Sequence, residues 1–73
     1  MTKEEFLVQM QDVLQTETEL KTDTALDELE EWDSLSMMAT MAFLDKNFGV
    51  KLKIADIKTL VTIGDIAAKA GIQ

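Results

Sequence analysis

Apolar residues recur every three or four positions at the start of the chain: Phe6, Leu7, Met10, Val13 and Leu14. That period places them on one stripe of a helix. Just ahead of the stripe, Thr2 and Glu5 have the spacing of a capping box, in which each side chain bonds a free backbone N–H of the first turn. Together these signals predict a first helix from about Lys3 to about Gln15. The period then lapses. Thr16 to Asp33 reads as a long connection rich in Thr, Asp and Glu, with Leu20, Ala25, Leu26 and Leu29 as its apolar points. Leu26 and Leu29 are expected to pin it to the core. Loops of this length are uncommon in compact domains and tend to be functional.

A second helix is predicted to begin at Asp33-Ser34, where Asp is a good N-cap and Ser36 falls at the third helical position. Leu35, Met37, Met38, Ala39, Met41, Ala42, Phe43 and Leu44 follow, so the segment is apolar almost all round. Met37, Met41, Leu44 and Phe48 share one face, and Leu35, Met38 and Ala42 share another; only one need be core. The helix is expected to end near Asn47, with Gly49 as its stop signal. Ile54 to Leu60 is a short helical candidate. Thr62 and Asp65 repeat the capping-box spacing, Ile63, Ile66, Ala67 and Ala70 follow at helical intervals, and Gly71 ends the last helix. The predicted fold is all-α: a small bundle of three main helices and one short one, with a long loop between the first two. The small residues Ala39, Ala42, Ala67 and Ala68 suggest space between helices.

With 73 residues, the chain is expected to form one domain, residues 1–73. A chain this short buries about 60% of the surface its unfolded form exposes, which leaves little room for an internal active site. It holds no cysteine, so disulfides and thiolate metal sites are excluded, and no histidine, the commonest general base. Its 14 acidic residues against 7 basic ones give a net charge of −7. Eight of the acids lie between Glu17 and Asp33, with Lys21 the one basic residue there, while the rest of the chain is electrically balanced. Such a charge repels nucleic acid and favours basic protein surfaces. No stretch approaches the ~20 apolar residues of a membrane span. The N-terminus lacks the basic and apolar regions of a signal peptide, so a cytoplasmic, soluble protein is expected, with a monomer as the default state.

Chemistry concentrates at Asp33-Ser34-Leu35. A serine in the first helical turn sits at the positive end of the helix dipole, where free N–H groups favour a phosphate. The same tripeptide equally serves as a plain helix cap. As a nucleophile Ser34 would need a base, yet there is no histidine for a triad and no lysine within a helical turn. Glu30 and Asp33 are a carboxylate pair without an obvious cleft. The acidic run lacks the Asp-x-Asp-x-Asp-Gly spacing and closing Glu of a calcium loop, and no metal site is expected.

In its wider context, Leu26-Asp27-Glu28-Leu29-Glu30-Glu31-Trp32-Asp33-Ser34-Leu35 resembles the loop-to-helix junction of the acyl and peptidyl carrier proteins. The resemblance extends over almost the whole chain, including the Phe48-Gly49-Val50-Lys51-Leu52 turn and the Thr59-Leu60-Val61-Thr62-Ile63-Gly64-Asp65-Ile66 approach to the last helix. It implies a carrier without catalysis of its own. A phosphopantetheinyl transferase would move the 4′-phosphopantetheine of coenzyme A onto Ser34, and the arm's thiol would hold acyl groups as thioesters. Partner enzymes of fatty-acid, polyketide or related biosynthesis would then work on them. Asp33 matches the family's aspartate before the serine. Leu35 and Met38 are expected to be partly exposed and, with Glu30 and Glu31, to meet the transferase and other partners through basic docking surfaces. Met is well suited to a surface that meets several partners, although Met37, Met38 and Met41 are equally readable as core. Trp32 reads as an anchor for the loop, or else as a lining for the arm or a partner contact.

The chain also departs from the family. Fatty-acid carriers usually have an acidic second helix, whereas Ser36 and Ala39 here stand at early positions read as exposed, and Lys46 lies near the end. The negative charge lies in the preceding loop instead, which points to a specialised carrier with its own partners. The alternative is an acidic helical interaction module that shares the fold and is never modified.

Overall fold

The computed structural model of the chain describes residues 1–72. Four helices follow one another: α1 (Lys3–Leu14), α2 (Ser34–Phe48), α3 (Ile54–Lys58) and α4 (Ile63–Lys69). The all-α bundle expected from the pattern is the fold observed. Both predicted capping boxes form. The Glu5 N–H donates to the Thr2 hydroxyl at 3.1 Å while the Glu5 carboxylate accepts the Thr2 N–H at 3.2 Å. At α4 the Asp65 carboxylate accepts the N–H groups of Val61 and Thr62, each at 3.0 Å, and the Thr62 hydroxyl accepts the Asp65 N–H. Gly49 closes α2 with φ +67°, a left-handed turn that costs glycine little. No glycine marks the end of α1; Gln15 itself adopts the left-handed conformation there, at φ +54°.

Phe6, Met10 and Leu14 of α1 are buried, with Leu7 and Val13 half-buried beside them. They meet Leu44 of α2 and Ile63, Ile66 and Ala67 of α4 in one core, to which Leu20, Leu26 and Leu29 of the long loop also belong. Leu26 and Leu29 thus pin the loop as expected, and Leu26 does so from a 3-10 turn, Leu26–Glu28. Phe6, Phe43 and Phe48 form a three-ring cluster with centroids 5.8–6.2 Å apart. α1 packs on α2 and α4, and α2 on α3.

Two sequence expectations are corrected. Ser36 is buried, not exposed, because its hydroxyl is drawn into the cap of α2. Of the four small residues expected to leave space between helices, Ala39, Ala42 and Ala68 face solvent, and Ala67 alone is buried within the packed core.

The loop is also clamped along its length. The N–H groups of Leu26, Ile63 and Gly64 donate to the carbonyls of Val61, Thr24 and Thr22 at 2.8, 3.0 and 2.8 Å, around an antiparallel bridge between Ala25 and Thr62. The clamp requires a glycine at 64, since a Cβ there would lie 2.7 Å from the Thr22 carbonyl oxygen. Gly64→Ala must therefore push the two backbones apart. A loss of about 1–3 kcal/mol is expected, as for an overpacked core site, which at 4–8 °C per kcal/mol is a clear fall in Tm. A thermal melt unchanged from wild type would show that the loop yields freely.

Seven of the eight acidic residues between Glu17 and Asp33 are exposed, and Glu31 is half-buried. Crowded on a clamped loop, they repel one another. Raising ionic strength from about 0.01 M to about 0.15 M shortens the screening length from roughly 30 Å to roughly 8 Å. The expected result is a higher Tm at the higher salt; a flat or falling Tm contradicts this account of the loop.

Candidate functional site

The site is the junction of the acidic loop with α2, and two serines divide its work. Asp33 has an extended backbone and caps the helix: its carboxylate accepts the Ser36 N–H at 2.9 Å. Ser36 reciprocates, its hydroxyl accepting the Asp33 N–H at 2.8 Å and donating to the Asp33 carbonyl at 3.0 Å. One turn further on, the fully buried Thr40 hydroxyl donates to the Ser36 carbonyl at 2.9 Å. Ser36, Thr40 and Leu44 make the buried line of α2. The Ser36 N–H is the main cause that holds the Asp33 carboxyl below the usual carboxylate range; a smaller desolvation opposes it, and the Ser36 hydroxyl and Leu35 N–H reinforce it. A depressed carboxyl keeps its cap above the acid range and loses it as pH falls through the lowered pKa.

With the capping taken by Asp33 and Ser36, Ser34 is left over. It is the first residue of α2, it is exposed, and no side-chain hydrogen bond among the described residues engages its hydroxyl. Leu35 is 77% exposed and Met38 61% exposed. Met38 stands one turn from Ser34, so the three residues form a single open patch. The other face read from the pattern turns inward: Leu44 is buried, and Met37, Met41 and Phe48 are half-buried. Glu30 is exposed beside the patch. Trp32 is half-buried, packs against the core and donates its backbone N–H to the Leu29 carbonyl at 3.1 Å, which anchors the loop. An open groove of about 300 Å³ runs alongside, between Val13, Leu14 and Gln15 of α1 and its cap and Leu35, Ser36 and Ala39 of α2, with Glu31 at its edge.

This geometry fits a phosphate ester on Ser34. The hydroxyl is accessible and uncommitted, and it lies at the positive end of a helix of 15 residues. Among the described residues there is no cluster of three or more potential metal ligands, and no helix is long and apolar enough to cross a membrane.

A family model described as "Phosphopantetheine attachment site" matches residues 4–69, nearly the entire chain. The chain belongs to the acyl carrier protein family. A relative called "Acyl carrier protein" from Kineococcus radiotolerans (strain ATCC BAA-149 / DSM 14245 / SRS30216) is 34% identical over 73 residues, covering 92% of this chain and 89% of the relative. No solved structure gives a significant match. The protein is thus a carrier and not an enzyme, and its prosthetic group is 4′-phosphopantetheine. Carrier proteins of this kind interact with a phosphopantetheinyl transferase and with biosynthetic enzymes.

Pattern reasoning had singled out Asp33, Ser34, Leu35, Met38, Glu30 and Glu31, and all of them lie within the last turns of the loop and the first turns of α2. It missed that Ser36 is the reciprocal partner of Asp33. The signal was present, since a side chain able to accept at the third helical position completes a capping box. It also missed Thr40, whose burial no local pattern marks.

Proposed function

We propose that Ser34 carries the phosphopantetheine arm, and that the chain from 1 to 73 acts as one carrier domain. It presents acyl thioesters to partner enzymes of fatty-acid, polyketide or related biosynthesis in the cytoplasm. The observation that carries this reading is the division between the two serines: Ser36 is buried and bonded at both ends of its hydroxyl, while Ser34 is exposed and free. The arm supplies a thiol that holds the acyl group. The chain's own residues do the rest. Ser34 gives the oxygen for the ester, the first turn of α2 offers N–H groups to its phosphate, and Asp33 and Ser36 hold that turn in shape. The Asp33 carboxylate is spent on the Ser36 N–H and no side chain among the described residues bonds the Ser34 hydroxyl, so the hydroxyl is activated by the transferase. Leu35 and Met38 give that enzyme and later partners an apolar contact, and Glu30, Glu31 and the other acids of the loop meet basic surfaces around it.

The test is intact mass after incubation with coenzyme A, magnesium and a broad-specificity phosphopantetheinyl transferase. The folded protein is expected to gain one phosphopantetheine. A folded protein that gains none, with each of several transferases, is an interaction module with a carrier fold.

A further inference from the structure

Sulfur is confined to methionine in this chain, which has five methionines and no cysteine. The fold sorts the five by exposure. Met10 is wholly buried in the core, and Met37 and Met41 are half-buried on the inward side of α2. Met1 and Met38 are exposed, at 52% and 61%. Met1 precedes α1, whose Phe6 packs on Phe43 and Phe48 of the later turns of α2, so it belongs to the end of the bundle away from Ser34. Of the five, Met38 alone combines an open thioether with a place in the patch of Ser34 and Leu35. Leu35, Ala39 and Ala42, its neighbours along the outer side of α2, are exposed and uncharged. The sulfur therefore sits within an apolar surface, where a thioether adapts to different partners.

We infer that Met38 is an oxidation site through which peroxide weakens docking at Ser34. The inference rests on the reading of Leu35 and Met38 as the contact for the transferase and later partners. The thioether sulfur attacks one oxygen of hydrogen peroxide. An S–O bond forms, the O–O bond breaks, and the second oxygen leaves as water; sulfur gives up two electrons and the peroxide takes them. The sulfoxide is polar where the thioether was apolar. A partner surface shaped for the thioether would bury the new oxygen unpaired, which is costly. Because Met38 faces solvent, the change spares the core. A thiol-dependent methionine sulfoxide reductase reverses it: the oxygen leaves as water while two thiols become a disulfide.

The test treats the unmodified full chain, in which no arm thiol competes, with graded hydrogen peroxide. The peptide from Thr22 to Lys46 holds Met37, Met38 and Met41, and tandem mass spectrometry orders their oxidation. Met38 is expected to gain oxygen first, with Tm unchanged within about 4 °C, as for a surface change. The kcat/KM of the transferase for this chain should then fall at least about threefold, through KM, and the reductase should restore it. Met38→Leu, oxidised at Met1 by the same treatment, should keep its own untreated rate. Oxygen first on Met37 or Met41, an unchanged kcat/KM with Met38 oxidised, or an equal fall in Met38→Leu overturns the inference and leaves the carrier reading intact. Absence of any phosphopantetheine gain before treatment instead overturns the carrier reading, and the inference falls with it.

Discussion

Ser34→Ala is expected to abolish phosphopantetheine uptake while leaving the fold as stable as wild type, and Ser36→Ala is expected to do the opposite. The two serines are two positions apart on one helix, yet their surroundings differ completely. The Ser34 hydroxyl is exposed and engaged by no other side chain or backbone group among the described residues. Removing it takes away no contact, and surface changes of that kind stay within about 0.5 kcal/mol. Ser36 is 8% exposed, and its hydroxyl both accepts the Asp33 N–H and donates to the Asp33 carbonyl. Its loss breaks the reciprocal half of the cap, a change of about 0.5–2 kcal/mol. Ser36→Ala should therefore melt several degrees lower and still take up one phosphopantetheine once folded. Thermal melts and intact masses of the two variants decide the matter together. Uptake that survives Ser34→Ala, or that disappears in a folded Ser36→Ala protein, contradicts the division of labour argued above.

The second large effect concerns the core. Phe6→Ala removes a ring that is fully buried and packed between Phe43 and Phe48 at centroid distances of 6.0 and 6.2 Å. Truncations of this kind cost about 3–5 kcal/mol, from lost transfer free energy and the cavity left behind. A chain of this length has a total stability of roughly 4–11 kcal/mol at typical values per residue. The variant should therefore lose at least about a quarter of its stability and up to all of it, with a urea midpoint far below wild type. Phe6→Leu keeps most of the volume and is expected to remain folded, which separates a packing effect from any special role of the aromatic ring. A loss below about 1 kcal/mol in Phe6→Ala would mean that the ring cluster is not the anchor of the bundle.

The helices were legible because their ends carry local chemistry. The pairs Thr2 with Glu5 and Thr62 with Asp65 are three residues apart, and the structure contains the hydrogen bonds that this spacing allows. The apolar stripe of α1 could be read directly, because Phe6, Met10 and Leu14 recur at helical spacing among polar residues such as Glu5, Gln9, Gln11 and Gln15. The orientation of α2 was harder to read. Its sequence is apolar all round, and a rule that ranks residues by hydrophobicity would not bury Ser36 and Thr40 while exposing Leu35 and Met38. The exception has a physical basis: a serine or threonine in a helix can satisfy its hydroxyl on its own backbone, so burial leaves no polar group unpaired. Leu35 and Met38 face outward at the junction that contains Ser34. The clamp between the loop and α4 was beyond a local reading as well. It joins Thr22 and Thr24 to residues about forty positions further on, and the need for Gly64 arises only when those backbones meet. Of the site itself, the residue types at positions 30 to 38 carried the reading, while the division between Ser34 and Ser36 came from hydrogen bonds.

The most direct measurement is localisation of the modification within the protein loaded from coenzyme A. Cleavage after Lys21 and Lys46 releases the peptide from Thr22 to Lys46, which contains Ser34, Ser36 and three threonines. Tandem mass spectrometry of this peptide reads the added mass residue by residue. The account predicts that every fragment including Ser34 carries phosphopantetheine and that C-terminal fragments starting at Leu35 do not. Added mass on Ser36, or on any residue other than Ser34, would contradict it.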